Sequence, residues 1–193
     1  MKVVIAGGGI GGLTTALMLT RRNVHVQVYE SSAEIREAGV GINILPHAIR
    51  ELDVLGLLPA LDEVGLRTKH LSYFTKSGQE VWSELRGLHA GHEIPQFSIH
   101  RGKLQKLLFD ALVERAGHES VVIGRRLSGF QQNETGVTAN FLDNIEGGPS
   151  LVVKADVLIC ADGIHSRGRK IFYPEEKLPS WNGVMMWLSL IHI

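Results

Sequence analysis

Apolar residues at the start of the chain fall into blocks with two different spacings. Residues 3–6 form a continuous apolar run of strand length, and residues 24–29, VHVQVY, form a second short strand segment with valine at every second position. Between these runs, apolar residues recur near helical spacing, at Leu13, Ala16, Leu17 and Leu19. The pattern predicts a strand, a helix and a second strand, the unit from which parallel sheets with crossover helices are built.

The middle of the chain predicts further helices and a hairpin. A helix is expected to start near Pro46, a favoured first-turn residue, and to stop at Gly56. Residues 69–85 have the pattern of a β-hairpin around Ser77 and Gly78. A short strand at 96–100 and a helix over 103–115, ended by a glycine, should follow.

The last third of the chain predicts strands joined by turns. The turns are expected at Gly136 and at residues 147–149, and the last strand at residues 155–161. Since this last segment is apolar for most of its length, we expect it to be covered on both faces in a parallel sheet.

Glycines after the first predicted strand carry the clearest chemistry. Gly7, Gly9 and Gly12 have the spacing G-x-G-x-x-G, and Glu30 ends the second strand. In a dinucleotide site the first glycine allows the turn, the second lets a pyrophosphate approach, and the third lets the helix pack on the sheet. The acid would bind a ribose hydroxyl and would repel a 2′-phosphate, which disfavours NADP in this site. The spacing alone does not separate FAD from NAD.

Composition excludes several other classes of protein. The 193 residues carry 20 basic and 20 acidic side chains, so neither a basic excess for nucleic acid nor a polybasic block for a membrane surface exists. Cys160 is the only cysteine, which fits a reducing cytosol. The chain has no signal-peptide pattern, no stretch of membrane-spanning length, no metal-ligand cluster and no context for a nucleophilic serine, so we expect a cytoplasmic protein without integral membrane contact or bound metal.

Other candidate positions have a structural and a functional interpretation. Local sequence alone leaves Gly39–Gly41 open between an ordinary turn and a backbone close to a flat ligand, and favours a solvated charge for Arg101. Asp162 follows a strand, where ligands of open α/β sheets bind, although Asp-Gly is also a common turn. For the hairpin aromatics Tyr73, Phe74 and Trp82, packing in the core or on the sheet face is favoured over a substrate pocket.

Four segments together resemble one enzyme family. They are IAGGGIGGLTTAL, SSAEIREAGVGINILPHA, PQFSIHRGKLQKLL and ADVLICADGIHSRGRK. They are similar to the FAD-dependent aromatic-ring monooxygenases, and most of all to the branch that modifies phenazines. The resemblance implies an α/β fold: a three-layer, Rossmann-like FAD-binding domain with part of an inserted mixed-sheet substrate domain.

The resemblance also implies site residues. The FAD pyrophosphate would lie on Gly7, Gly9, Ile10, Gly11 and Gly12, and the adenosine ribose on Glu30. Val40 and Gly41 would lie near the flavin and the pyrophosphate, and Arg101 would reach the FAD phosphate and ribityl region. Leu127 would contact the adenine side through its backbone. Asp162 and Gly163 would serve both FAD and NAD(P)H. Ser166 and Arg169 match a Ser-x-x-Arg run, in which Arg167 and Gly168 are expected to weaken the helix start. No catalytic residue is assigned.

The resemblance implies that segments of the two domains alternate along the chain. FAD-binding parts are expected at about residues 1–68 and 101–172, and substrate-domain parts at about 69–100 and 173–187. The resemblance ends at Trp187, and residues 188–193, LSLIHI, resemble a translated sequencing adapter. We therefore expect the N-terminal part of a longer enzyme with a short non-native tail, and neither tight FAD binding nor turnover by the fragment itself.

The implied activity is hydroxylation of an aromatic or heteroaromatic ring. NADH or NADPH would reduce FAD, and O2 would yield a C4a-hydroperoxyflavin that transfers one oxygen atom to a small aromatic substrate. The alternatives are a non-enzymatic redox-sensing module that holds FAD or NAD, and a family member that epoxidises or decarboxylates. Substrate, hydride donor and oligomeric state stay open.

Overall fold

A computed structural model describes residues 1–36, 39–145 and 147–188. Backbone contacts divide the chain into two compact units. The first consists of residues 1–36 and 105–186, and the second of residues 37–104 and 187–193, as far as these are described. The domain boundaries that the family resemblance implies differ from these two units and stay a prediction, and most of the expected non-native tail lies outside the described residues.

The strands, in chain order, are β1 (Lys2–Ala6), β2 (His25–Tyr29), β3 (Gly41–Ile44), β4 (Gly65–Arg67), β5 (His70–Phe74), β6 (Glu80–Leu85), β7 (Phe97–His100), β8 (Val121–Val122), β9 (Arg125–Asn133), β10 (Gly136–Asp143), β11 (Leu151–Ala155) and β12 (Val157–Cys160). The helices are α1 (Ile10–Thr20), α2 (Pro46–Val54), α3 (Leu58–Val64), α4 (Arg101–Ala116) and α5 (Arg167–Phe172). Two short 3-10 turns cover Gly87–Ala90 and His118–Ser120.

The first unit is built on a four-stranded parallel sheet with the order β12-β1-β2-β8. The predicted strand, helix and second strand are confirmed as β1, α1 and β2. Alternation gives β1 two apolar faces, since Val3 and Ile5 point one way and Val4 and Ala6 the other, and all four are buried. A strand apolar on both faces needs a layer on each side.

Those layers are a helix and a second sheet. Helix α1 contacts β1 and β2 and buries Leu13, Ala16 and Leu17. On the other face, the antiparallel sheet β11-β10-β9 packs its own apolar side chains against Val4 and Ala6. The three-layer α/β fold is thus confirmed, with helix, parallel sheet and antiparallel sheet as its layers.

The expected last strand differs from the prediction in two respects. Residues 151–155 pair with β10, whereas 157–160 pair with β1, because the chain changes sheets at Asp156, whose N–H donates to the Lys2 carbonyl at 2.9 Å. The expectation that this strand is covered on both faces is wrong within the described residues. Strand β12 lies at the sheet edge, with Val157 41% exposed and Cys160 exposed as well.

The second unit contains the sheet β3-β7-β4, helices α2 and α3, and the separate hairpin β5-β6. Helix α2 begins at the predicted proline, and Gly56, at φ +72°, follows it as expected. The hairpin is confirmed, with Gly78 at φ +83° in its turn. Helix α4 starts at Arg101, two residues earlier than the apolar spacing predicts, because its first turn is polar on the outside.

Candidate cofactor-binding site

The turn between β1 and α1 leaves room for a side chain at some glycines only. Gly7 has φ +109°, and a Cβ built on it would lie 2.2 Å from the carbonyl oxygen of Ala161. A Cβ on Gly12 would lie 1.9 Å from the Gly7 carbonyl oxygen. Both positions therefore need glycine, the first for conformation and for space and the second for the close approach of α1 to the turn.

Gly9 and Gly11 border open space instead. A Cβ built on either would meet no atom within 4 Å. Gly9 is the N-cap of α1 at φ −74°, a conformation open to any residue, so its backbone needs no glycine. The first N–H groups of a helix, beginning at Ile10 here, lack intrahelical acceptors and attract anions. The open side of the turn therefore has the space and the donors that a pyrophosphate requires.

Glu30 lies beside this turn and is 9% exposed. Its Oε2 accepts a hydrogen bond from the Gly8 N–H at 2.6 Å, and its Oε1 accepts from the Ser32 N–H at 2.7 Å and from the Ser31 hydroxyl at 3.1 Å. A carboxylate has about four acceptor positions, so three bonds leave capacity for a ribose hydroxyl. The structure thus gives Glu30 a task that the sequence did not suggest, holding the glycine turn, and its ribose contact stays a prediction.

Asp162 and Gly163 lie at the carboxyl end of β12, next to the glycine turn. The Ala161 N–H donates to the Ala6 carbonyl at 2.8 Å, which aligns the ends of β12 and β1. The Asp162 carboxylate accepts from the Ser166 hydroxyl and the Arg167 N–H, both at 2.6 Å. In this structure the carboxylate thus stabilises the first turn of α5, and its contact with a cofactor stays a prediction.

The start of α5 is well formed, contrary to expectation. Ser166 is its N-cap and accepts from the Arg169 N–H at 2.9 Å. Gly168 is needed for packing, since a Cβ there would lie 2.3 Å from the sulfur of Cys160. The expected weakening by this glycine is therefore wrong. Partial burial, and then the Asp162 charge, raise the pKa of the Cys160 thiol above its usual value.

In the second unit, the structure joins Val40, Gly41 and Arg101. The Arg101 N–H donates to the Val40 carbonyl at 3.0 Å, and Gly41 pairs with His100 in the β3-β7 ladder. Gly39, at φ +125°, lies against the Arg101 side chain, whose Nε would be 2.8 Å from a Cβ on that glycine. Residues 39–41 thus form one local structure with Arg101, and the choice between an ordinary turn and a backbone close to a flat ligand stays open.

Leu127 lies on β9 with its side chain 4% exposed, packed in the core between the two sheets of the first unit. Two residues earlier, the Arg125 N–H donates to the Glu30 carbonyl at 2.7 Å. This bond brings the start of β9 to the end of β2. A backbone contact of Leu127 with adenine stays a prediction, and its side chain has a structural task.

Sequence reasoning missed Gln105 on α4. Its Nε2 donates to the Gly8 carbonyl at 2.8 Å, so it belongs to the glycine turn although almost a hundred residues separate the two. The sequence gives only a weak signal, a polar side chain of a kind that its neighbours Lys103 and Lys106 also have. That signal does not say which group the amide meets.

The comparisons with known proteins agree with this geometry. The model of the family described as "FAD binding domain" matches residues 1–188. The chain belongs to this family of FAD-binding domains, and its cofactor is FAD. Binding of FAD by the glycine turn stays a prediction.

Individual relatives give the same picture. The chain is 43% identical over 194 residues to phenazine 1,6-dicarboxylic acid hydroxylase PhzS of Lysobacter antibioticus, covering 99% of this chain and 47% of the relative. It is 29% identical to aurachin C monooxygenase/isomerase of Stigmatella aurantiaca, covering 100% and 48%. The chain thus spans about half the length of the curated relatives it matches.

Solved structures share the fold. HpxO of Klebsiella pneumoniae, complexed with FAD and uric acid, is 26% identical with a TM-score of 0.70, over 89% of this chain and 41% of the other. The p-nitrophenol 4-monooxygenase PnpA of Pseudomonas putida has a TM-score of 0.78 over 86% and 42%, and at 21% identity it supports the fold alone.

Two other kinds of feature are absent from the described residues. None of the described helices is long and apolar enough to cross a membrane. The same residues hold no group of three histidine, cysteine or carboxylate side chains that could bind a metal ion.

Proposed function

We propose that this chain is the FAD-binding part of a flavin-dependent monooxygenase that uses NADH or NADPH and O2 to hydroxylate an aromatic or heteroaromatic substrate. The observation that carries the proposal is the open side of the glycine turn at Gly9, in a chain 43% identical to a phenazine hydroxylase. A turn closed at Gly7 and open at Gly9 is suited to a pyrophosphate, which any FAD enzyme of this kind must hold.

The residues present fit FAD. In the first unit, the turn at Gly7–Gly12 would hold the pyrophosphate, and the spare acceptor capacity of Glu30 would take a ribose hydroxyl. In the second unit, the Arg101 guanidinium supplies a positive charge beside the backbone of residues 39–41. Bound FAD supplies the electron transfer and the activation of O2, while the protein binds, orients and excludes water.

The substrate class, the cellular compartment and the domain boundaries form the finer part of the proposal. The resemblance to a phenazine hydroxylase favours a tricyclic nitrogen heteroaromatic acid over a single-ring acid. The single cysteine and the family resemblance favour the cytoplasm. The domain boundaries at about residues 68, 101 and 172 belong to the same proposal.

The test uses the complete gene product that contains this chain. We expect it to purify with flavin absorbance and to oxidise NADH or NADPH faster when a phenazine carboxylic acid is present. Mass spectrometry with 18O2 should show one labelled oxygen atom in the product. Bound flavin without oxygen transfer to any aromatic acid would favour the redox-sensing module, and epoxide or loss of CO2 would favour the other family activities.

A further inference from the structure

Two side chains from distant parts of the first unit bind the backbone of Gly8, Glu30 on the Gly7–Gly8 peptide and Gln105 on the Gly8–Gly9 peptide. The Gly8 N–H donates to Oε2 of Glu30 at 2.6 Å, in a buried position. The Gly8 carbonyl accepts from Nε2 of Gln105 at 2.8 Å. Glu30 is expected to bind the ribose, whereas Gln105 has no expected role in the cofactor site and contacts the turn only at the Gly8 carbonyl.

The hydrogen bond from Gln105 fixes the orientation of the Gly8–Gly9 peptide, and with it the direction of the Gly9 N–H. A trans peptide is planar, so its C=O and the following N–H point in opposite directions. The described residues contain no cis peptide bond. With its carbonyl turned toward Gln105, the Gly8–Gly9 peptide turns the Gly9 N–H away from Gln105. Within the described part of the chain, this N–H has no hydrogen-bond acceptor.

Glycine on both sides makes this peptide easy to rotate. Neither residue has a Cβ, and Gly9 has no atom within 4 Å of the position where one would lie. Rotation of the peptide would exchange the N–H for a carbonyl oxygen, which repels a phosphate. An external hydrogen bond is therefore needed to keep the donor outward.

We propose that Gln105 is a positioning residue that orients the Gly8–Gly9 peptide so that the Gly9 N–H binds the pyrophosphate of FAD. This inference rests on the proposed function. Gln105 acts through the Gly8 carbonyl and needs no contact with the cofactor. Its effect should appear for ligands with a pyrophosphate and be absent for ligands without one.

The experiment replaces the amide by a side chain of similar length that cannot donate. In the complete gene product, Gln105→Met should raise the dissociation constants of FAD and ADP about tenfold, the effect of weakening one hydrogen bond to a charged group. Gln105→Glu should do at least the same, because its carboxylate would face the Gly8 carbonyl. The affinity for adenosine should not change in either variant.

Gln27 provides the matched control, since its Nε2 also donates to a backbone carbonyl, that of Glu119, at 3.2 Å and away from the turn. Gln27→Met should leave all three affinities within about twofold. If Gln105→Met does not fold, Gln105→Asn, which keeps the amide on a shorter arm, takes its place. Unchanged FAD affinity in a folded Gln105 variant, or an equal loss for adenosine, would overturn the inference. A wild-type protein that binds no FAD would instead contradict the proposed function.

Discussion

Two aromatic pairs, one in each unit, lie in opposite surroundings. Tyr29 on β2 stacks on Phe141 of β10 with ring centroids 4.2 Å apart, and Phe141 is fully buried. Tyr73 and Trp82 meet across the β5-β6 hairpin at 5.7 Å and are 56% and 44% exposed. The first pair packs between two sheets, whereas the second lies on one face of a hairpin with only two strands. The same type of residue on the same type of element thus packs only where a second layer exists.

The comparison corrects one expectation for the second unit. Packing of the hairpin aromatics on the sheet face is confirmed for Tyr73 and Trp82, but packing in a core is wrong for the described residues. Their apolar character alone did not separate the two possibilities. What separates them is the presence of another sheet, which no local pattern contains.

The largest expected effect tests the buried pair. Phe141→Ala should lower the free energy of unfolding by about 3–5 kcal/mol, because it leaves a cavity between the two sheets of the first unit. Urea unfolding followed by circular dichroism measures this change. Phe141→Leu, which keeps most of the volume, is the control and should cost clearly less. Equal stability of the alanine variant and wild type would show that the two sheets are not packed as described.

The second prediction contrasts two glycines of one turn. Alanine in a helix is ordinarily more stable than glycine by about 0.5–1 kcal/mol, yet Gly12→Ala should destabilise by about 1–3 kcal/mol, because its Cβ would lie 1.9 Å from the Gly7 oxygen. Gly9→Ala should cost less than about 1 kcal/mol of stability but weaken FAD at least tenfold, because its methyl group occupies the open side.

Thermal unfolding and FAD titration together measure both glycine variants. The reverse result, a stable Gly12→Ala and an unstable Gly9→Ala, would contradict the division of the turn into a closed and an open side. Because Gly9 has an ordinary φ of −74°, the larger Gly9→Val is likewise expected to act by filling the space of the pyrophosphate and not by straining the backbone.

The third prediction concerns Glu30. Glu30→Ala removes the acceptor for the Gly8 and Ser32 N–H groups, so it should weaken FAD by about 1–3 kcal/mol and also lower the stability of the protein without FAD. Glu30→Gln keeps one acceptor oxygen and should fall between wild type and alanine in both measurements. A loss of FAD affinity with unchanged stability of the apoprotein would mean that Glu30 serves the ribose and not the turn.

The sequence predicts those residues of the site whose role depends on backbone geometry alone. The closed side at Gly7 and Gly12 follows from spacing, because only glycine fits a turn that tight. The tasks of Glu30 and Gln105 did not follow, since each depends on which backbone group lies opposite after folding. For Arg101, local sequence favours a solvated charge and family resemblance implies a cofactor contact, but neither predicts its contact with residues 39–41.

The change of sheet at Asp156 was missed for a related reason. Few polar side chains interrupt residues 151–161, so hydrophobic spacing does not show where one strand ends and the next begins. The pattern therefore predicts a last strand over 155–161. The break arises because β10 and β1 belong to different sheets and the chain must pass from one to the other. Hydrophobic spacing describes what a strand buries, and it does not describe which strand lies beside it.

The smallest expected effect concerns the exposed pair of the hairpin. Trp82→Ala should change the free energy of unfolding by about 0.2–1 kcal/mol, the range of a cross-strand pair, because nearly half of this side chain is already exposed to water. Tyr73→Ala should have an effect of similar size, and the double variant should cost less than the sum, since either change alone removes the contact. Urea unfolding of the complete gene product measures all three. A loss for Trp82→Ala as large as that for Phe141→Ala would show that the hairpin face is covered in the complete protein.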